Sequence, residues 1–352
     1  MEEDVIVRAI DVGFGNTKHT LFRPKRGEIT CDFFPSIAPP MQSSGKIDLA
    51  GQLYQRHNVV NVRVGNVTYV VGKDAYLSQD ASFGRTLDQS YAMSDAYMAL
   101  VRGAIAYMNV PRIDVLVVGL PVNTHHELSE ALADRLTGFH PIPGPEGSEV
   151  EIEVGHVMVL PQPVGGFFDY STRNKVYATL SKQVNLLIDP GYYTLDWVVA
   201  HGIKMVNTRS DAHEGGMSSI LASIADKISQ EIKTPIKDCT RIDDAIRTGT
   251  NPRFNGKEFD LSEVIHVGEE KARQFISVLA NKVGSAVDID NIILVGGGAA
   301  FLQDEIQARF PNHTITIADD PVFANVRGFQ LAGEQYAASE KFLAKWRSIH
   351  AA

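Results

Sequence analysis

Mostly apolar residues fill positions 5–10, Val-Ile-Val-Arg-Ala-Ile, and the run stops at Asp11-Val-Gly-Phe-Gly15 before a loosely alternating stretch from Thr17 to Phe22. A strand, a tight glycine turn and a returning strand are predicted. Between 31 and 60, Pro35, Pro39 and Pro40 follow an upstream Pro24, Ser43, Ser44 and Gly45 come next, and no period emerges. A loop or a small irregular subdomain is predicted there. Met93, Tyr97, Leu100, Val101, Ala104, Ile105 and Met108 recur at helical spacing, and Pro111 ends that helix ahead of an apolar strand at 114–118, closed by 119–122. A further apolar strand at 154–160 leads into Pro161-Gln-Pro-Val-Gly-Gly166, and a helix is predicted from Phe167 to about Ser181.

Near residue 184 the opening pattern returns. Val184-Asn-Leu-Leu-Ile188 runs into Asp189-Pro-Gly-Tyr-Tyr193, and a second apolar run covers 194–200. Gly215 and Gly216 precede a helix with Met217, Ile220, Leu221, Ile224, Ala225 and Ile228 on one face. Residues 233–268 are polar and broken by Pro235, Gly249, Pro252 and Gly256, which predicts an inserted surface subdomain. A helix at about 269–287, a strand at 292–295, Gly296-Gly-Gly298, a helix at 301–310, a short strand at 314–317 and a C-terminal helix opened at 325–328 complete the chain. Strands and helices alternate throughout, the pattern of an α/β protein.

The chain has 352 residues, long enough for about two domains at roughly 150 residues each. The expected division is 1–183 and 184–334, with a C-terminal helix at 335–352 packing back on the first domain. Lys plus Arg number 33 against 42 Asp plus Glu, a net charge of -9, and no block concentrates positive charge, so direct nucleic-acid binding is disfavoured. Cys31 and Cys239 are the only cysteines, which rules out a disulfide scaffold and a structural zinc site. The acidic N-terminus is unlike a secretory signal, and no run reaches the roughly 18 to 20 apolar residues of a membrane span, so a cytoplasmic protein is expected.

An apolar strand ending in Asp-x-Gly occurs twice, at Asp11 and at Asp189, 178 residues apart (189 − 11). A glycine turn can offer backbone N–H groups to phosphate oxygens and a strand-end Asp can hold Mg2+ through its waters, so each half would supply one jaw of a nucleotide clamp. The alternative for each copy is a plain hairpin with an Asx-type turn; the duplication favours the clamp. Other motifs fail. Lys18 stands where a dinucleotide fingerprint needs its third glycine, Phe301 does so after Gly296, there is no Walker A loop and no Gly-x-Ser-x-Gly elbow, and His125 and His126 lack a metal partner at helical spacing.

The ordered series Ile10 to Lys18, 159–166, Leu187 to Asp196, Glu214-Gly-Gly216 and 294–300 resembles the motif set of the actin, hexokinase and heat-shock chaperone ATPase superfamily. Within it the chain is most similar to actin-like proteins of the ParM plasmid-segregation type. The resemblance implies a two-domain, ribonuclease H-like α/β fold with a nucleotide cleft between duplicated domains. It implies that Asp11 and Asp189 hold Mg2+ through water and that Gly13, Phe14, Gly15, Asn16 and Lys18 form the first phosphate loop. Gly191, Tyr192, Tyr193 and Thr194 would form the second loop. Gln162 would align the attacking water, a geometric role because an amide takes no proton. ParM-type relatives usually carry Glu there and actin carries Gln. Glu214, Gly215 and Gly216 would border the ribose, and Gly296, Gly297 and Gly298 would lie under the base and sugar.

Plain alternatives stand beside these roles: Lys18 as a solvated strand residue, Gln162 as a turn residue between prolines, the triple glycine as strand-to-helix geometry. Asp196 either orients the second loop or faces solvent. Tyr192 and Tyr193 replace the family's small Gly-Thr pair and Pro190 removes a donor, which implies altered phosphate contact and slow hydrolysis. The implied function is an ATPase, using ATP or GTP with Mg2+, that assembles head to tail into filaments, with an adaptor protein on DNA as a further partner. A small-molecule kinase is the alternative, with Asp211 as its base. A chaperone or assembly ATPase is a third, for which a peptide-binding domain would be expected beyond the helix ending near Ile349.

Overall fold

Strand Val7–Val12 is buried at all six positions, as a central strand covered on both faces must be. In the computed structural model, which describes residues 4–21, 27–41, 58–78, 90–144 and 148–350, this strand lies in a five-stranded sheet. The order is Cys31–Pro35, Asn16–Thr20, Val7–Val12, Val115–Leu120 and Val157–Pro161. The first three strands run antiparallel and the last two join in parallel.

One face of this sheet packs on helix Asp95–Met108, through Ile10, Val12, Leu100, Ala104 and Ile105. Ser94 caps that helix by accepting from the Tyr97 N–H at 3.1 Å, and Asn109 ends it in a left-handed conformation. The opposite face, with Val7, Ala9, Val115 and Val117, packs on Val326 and Phe329 of helix Ala324–Ala337. A Cβ on Gly333 of that helix would meet Val7 and Val117 at 2.7 Å, so only glycine lets the helix lie so close.

A second sheet has the order Lys204–Met205, Thr194–His201, Val184–Pro190, Asn291–Leu294 and Ile315–Ile317, with Asp211–Glu214 also paired to Thr194–His201. Helices Met217–Ile232, Leu261–Val283 and Ala299–Arg309 bury their apolar faces in its core with Leu186, Ile188, Trp197 and Leu294. The chain divides into two compact units, Met1–Arg173 with Phe323–Ala352, and Asn174–Val322.

The structure differs from the sequence expectations at several points. The first unit ends at Arg173 rather than 183 and resumes at Phe323, because helix Ala324–Ala337 belongs to the first sheet. Within that unit the terminal helix Glu340–His350 docks through Trp346, whose indole N–H donates to Asp114 Oδ1 at 3.0 Å. The stretch 31–60 holds the edge strand Cys31–Pro35, while Phe22, Pro24 and residues 43–45 lie outside the described residues. The strand expected at 154–160 is two, Glu149–Val154 and Val157–Pro161, broken at Gly155 and His156. The next helix starts at Gln162, not Phe167, and stops at Arg173. Helix Leu261–Val283 begins eight residues early because Asp260 caps it, accepting from the Ser262 N–H at 2.9 Å.

Candidate functional site

The two Asp-x-Gly turns have the same backbone. Asp11 pairs with Lys18 and Val12 with Thr17; in the second unit Asp189 pairs with Asp196 and Pro190 with Leu195. The Gly13 N–H donates to the Asn16 carbonyl at 3.1 Å, and the Gly191 N–H to the Thr194 carbonyl at 2.9 Å, each closing a two-residue turn. A Cβ would meet that carbonyl oxygen at 3.1 Å on Gly13 and 3.0 Å on Gly191. The parallel neighbours repeat as well: Val7 pairs with Val115, and Asn185, 178 residues on, pairs with Asn291.

In each turn the carbonyls are drawn back into the protein. In the first, the Ser36 hydroxyl donates to the Gly13 carbonyl at 2.5 Å and the Ser36 N–H to the Gly15 carbonyl at 3.0 Å. In the second, the Met217 and Ser218 N–H groups take the Gly191 and Tyr192 carbonyls at 3.0 and 2.7 Å, and Gly215 and Gly216 donate to the Tyr193 carbonyl at 2.9 and 2.8 Å. The peptides of the described residues are all trans, so each N–H points opposite to the carbonyl before it. The N–H groups of Phe14, Tyr192 and Tyr193 therefore face away from their braces, the arrangement that receives an anion.

Around the first turn, Asp11 is 1% exposed and accepts from Gln162 Nε2 at Oδ1 and from Lys18 Nζ at Oδ2, both at 2.9 Å. Gln162 is the first residue of helix Gln162–Arg173 and is buried, with its Cγ 3.0 Å from where a Cβ on Gly119 would sit. Because its NH2 end is committed to Asp11, its Oε1 is the end able to accept from a water. Phe14 stacks on Tyr91, with ring centroids 5.1 Å apart, so its side chain serves packing and only its backbone belongs to the turn. Burial, and then the Asp11 charge, raises the pKa of the Tyr97 phenol well beyond its ordinary value, so a neutral ring lies under this carboxylate.

The glycines of the second unit converge on its turn. Gly296, at φ +81°, would place a Cβ 1.9 Å from Asp189 Oδ1, and Gly298 would place one 2.9 Å from Pro190 Cβ. Gly216 would place one 2.5 Å from the Gly191 carbonyl, whereas Gly297 has nothing nearer than Val322 at 4.0 Å. Asp196 is buried and accepts from Thr194 Oγ1 at 2.6 Å, so it orients the loop and does not face solvent. Glu214 pairs with Thr194 across the strands and is exposed. The kinase-base candidate Asp211 forms an ion pair with Lys282 at 3.1 Å, away from either turn in sequence. Ser36 was not anticipated: it follows Pro35 in a stretch without period, and no motif marks it.

The geometry defines an α/β protein with one braced Asp-x-Gly hairpin in each of two units. The family model for the N-terminal domain of actin-like proteins matches residues 9–165, and that for the C-terminal part of the archaeal actin homologue MreB-like family matches 187–308. Together the two take in most of the chain, and the protein belongs to the actin-like ATPase superfamily. No curated protein matches it in sequence.

Among solved structures, the ADP complex of the archaeal actin homologue Ta0583 is 20% identical, with a TM-score of 0.73 over 94% of this chain and all of that one. Apo psk41 ParM is 21% identical, with a TM-score of 0.69 over 95% of this chain and 98% of that one. The ParM of a 15-stranded filament from Clostridium botulinum is 20% identical, with a TM-score of 0.72 over 95% of this chain and all of that one.

Proposed function

We propose that the protein is an actin-like cytoskeletal ATPase that binds ATP or GTP with Mg2+, hydrolyses it and assembles head to tail into filaments. The observation that carries this reading is the repeated hairpin, with equal register, equal closing bond and carbonyls braced on one side only. DNA or plasmid segregation, or cell organisation, is the role that goes with such a filament. An adaptor bound to DNA is the partner and the cytoplasm the setting. The ADP complex of one structural neighbour and the filament of another support the two halves of the reading.

The residues fit a hydrated metal rather than a directly ligated one. Among the described residues no three His, Cys, Asp or Glu side chains gather as a cage, while Asp11 and Asp189 each end a strand beside a turn. Mg2+ keeps most of its waters, and two separate carboxylates suit it in that form. Asp11 and Asp189 would hold it, and when bound it neutralises charge on the phosphates. In hydrolysis the turn N–H groups hold phosphate oxygens and Lys18 adds a positive charge. Gln162 Oε1 accepts from the attacking water and aligns it.

Calorimetry with magnesium and each purine triphosphate, followed by sedimentation with and without nucleotide at several salt concentrations, tests the reading. Uptake of one triphosphate and a nucleotide-dependent pellet are expected; no uptake of either overturns it. Gln162→Ala is expected to slow phosphate release about a hundredfold with affinity nearly intact. Equal loss of both would remove the water-aligning role.

A further inference from the structure

Gln162 is held at both ends of its helix. Its own amide meets Asp11, and seven residues on, about 10 Å along the axis and on the same face, Asp169 meets Arg327 of helix Ala324–Ala337. That pair is a two-bond fork, Arg327 Nε to Oδ1 at 2.9 Å and Nη2 to Oδ2 at 2.7 Å, with Arg327 5% and Asp169 1% exposed.

Between the two ends the helices touch backbone to backbone. A Cβ on Gly328 would lie 1.7 Å from the Gly165 carbonyl, and one on Gly165 would lie 2.5 Å from the Asn325 carbonyl. Helix Ala324–Ala337 is in turn fixed to the strand that carries Asp11: Gln330 Nε2 donates to the Val7 carbonyl at 3.0 Å. Gln330 Oε1 also accepts from Thr20 Oγ1 at 2.8 Å, while that hydroxyl oxygen accepts from the Ala9 N–H at 3.0 Å. The contacts close a ring, from strand Val7–Val12 to Gln330, to Arg327, to Asp169, to Gln162 and back to Asp11.

We infer that Asp169 and Arg327 are positioning residues for Gln162, setting the roll of its helix and so the rate of nucleotide hydrolysis, not nucleotide affinity. At the glycine contact the two backbones meet without interlocking side chains of their own, and a single ion contact would fix distance but not orientation. A planar two-bond fork fixes orientation as well as distance. Phe329 reinforces the device, since it lies 2.5 Å from where a Cβ on Gly119 would sit, beside the Gln162 Cγ. The inference rests on the hydrolysis reading given above.

The test uses the full chain with Mg-ATP or Mg-GTP, whichever it hydrolyses. Arg327→Lys keeps the charge but loses the fork, and the double change Asp169→Leu with Arg327→Met removes both charges so that neither is left buried alone. Both are expected to fold and to bind nucleotide within about twofold of the parent, with kcat lowered at least tenfold, since misplacement by about 1 Å can cost a hundredfold. Added to Gln162→Ala, neither is expected to lower kcat further, because the residue they position is gone.

Unchanged kcat, a parallel loss of kcat and affinity, or a full additional loss on the Gln162→Ala background would each overturn the inference. So would failure of both variants to fold, which would make the pair structural. Failure of the underlying reading looks different: Gln162→Ala alone would then hydrolyse at the parent rate.

Discussion

The two hairpins share a backbone and differ in what faces the aspartate. Directly paired residues on antiparallel strands share a face, so Asp11 looks across at Lys18, and Asp189 looks across at Asp196. One hairpin therefore carries its own counter-charge, at 2.9 Å, and the other sets two buried carboxylates on one face, with Thr194 Oγ1 donating to Asp196. The braces differ too: a single serine holds the first turn, and Gly215, Gly216 and the start of helix Met217–Ile232 hold the second. The same fold unit has been given two electrostatic tasks. Asp11, opposite a lysine, also holds the neutral Gln162 amide in a fixed orientation, whereas Asp189 stands opposite a second acid.

The largest effect should come from breaking the hairpin in which two aspartates face each other. Asp189→Ala is expected to abolish magnesium-dependent nucleotide hydrolysis. Asp11→Ala should lower hydrolysis and release Gln162 and Lys18 together, with a smaller loss of magnesium dependence. Titrating magnesium against each variant with the nucleotide fixed checks this. Unchanged hydrolysis in Asp189→Ala would remove that residue from the site, and equal magnesium dependence in the two variants would erase the proposed division of labour.

What could be read from the sequence follows from what these hairpins are made of. An apolar run that stops at Asp-x-Gly is legible twice because buried strands and tight turns have strong local signals, and the alternation of strands and helices gave the α/β class. Gly165 and Gly166 misled in the other direction. The helix is expected only from Phe167, yet both glycines lie inside helix Gln162–Arg173, where Pro163 sits in the first turn and loses no hydrogen bond. Gly165 is there because another helix touches its backbone at Gly328, a contact written 163 residues away. Ser36 was hidden for a similar reason: its strand, Cys31–Pro35, is a partly exposed edge with no clean alternation, and its target is the Gly13 carbonyl 23 residues earlier. The start of the long helix was not legible, because its cap, Asp260, stands in the polar stretch 233–268.

The return strands sharpen the comparison at a second pair of positions. His19 and Trp197, again 178 residues apart, are each 1% exposed. The Trp197 indole N–H donates to the Arg209 carbonyl at 3.0 Å. His19, packed between Phe34 and Tyr107, has no hydrogen-bond partner for either ring nitrogen among the described residues. Burial pulls its pKa from 6.5 down to about 4, with the Asp32 charge opposing and Lys73 assisting.

The unfolded chain binds the extra proton, so His19's contribution is intact above pH 6.5. It is lost progressively as pH falls toward 4, up to about 3 kcal/mol in all. Burial lowers the pKa of His140, also in the first unit, in the same direction. Urea midpoints at pH 7.5, 5.5 and 4.5 for the parent and His19→Phe isolate the histidine. The parent should lose more stability than the variant over that range, and parallel curves would mean that His19 is protonated without cost in the folded protein.

The smallest effect tests the braces. Ser36→Ala removes the hydroxyl that donates to the Gly13 carbonyl and that also meets Thr17 Oγ1 at 2.9 Å, while leaving the Ser36 N–H on the Gly15 carbonyl. Two neutral hydrogen bonds with little change of volume are worth about 1 to 2 kcal/mol, and the loss should appear as a modest drop in the urea midpoint. Its functional consequence should exceed its structural one, because the Gly13 carbonyl would be free to turn and its peptide would carry the Phe14 N–H with it. The second turn is held by four backbone donors that no side-chain substitution removes, so Ser218→Ala, on the other hairpin's brace, should leave nucleotide affinity unchanged. Weaker nucleotide binding in Ser36→Ala and parental binding in Ser218→Ala would make the first turn the adjustable one of the two. Equal binding in both would mean that the turn peptides hold their direction through the strands alone.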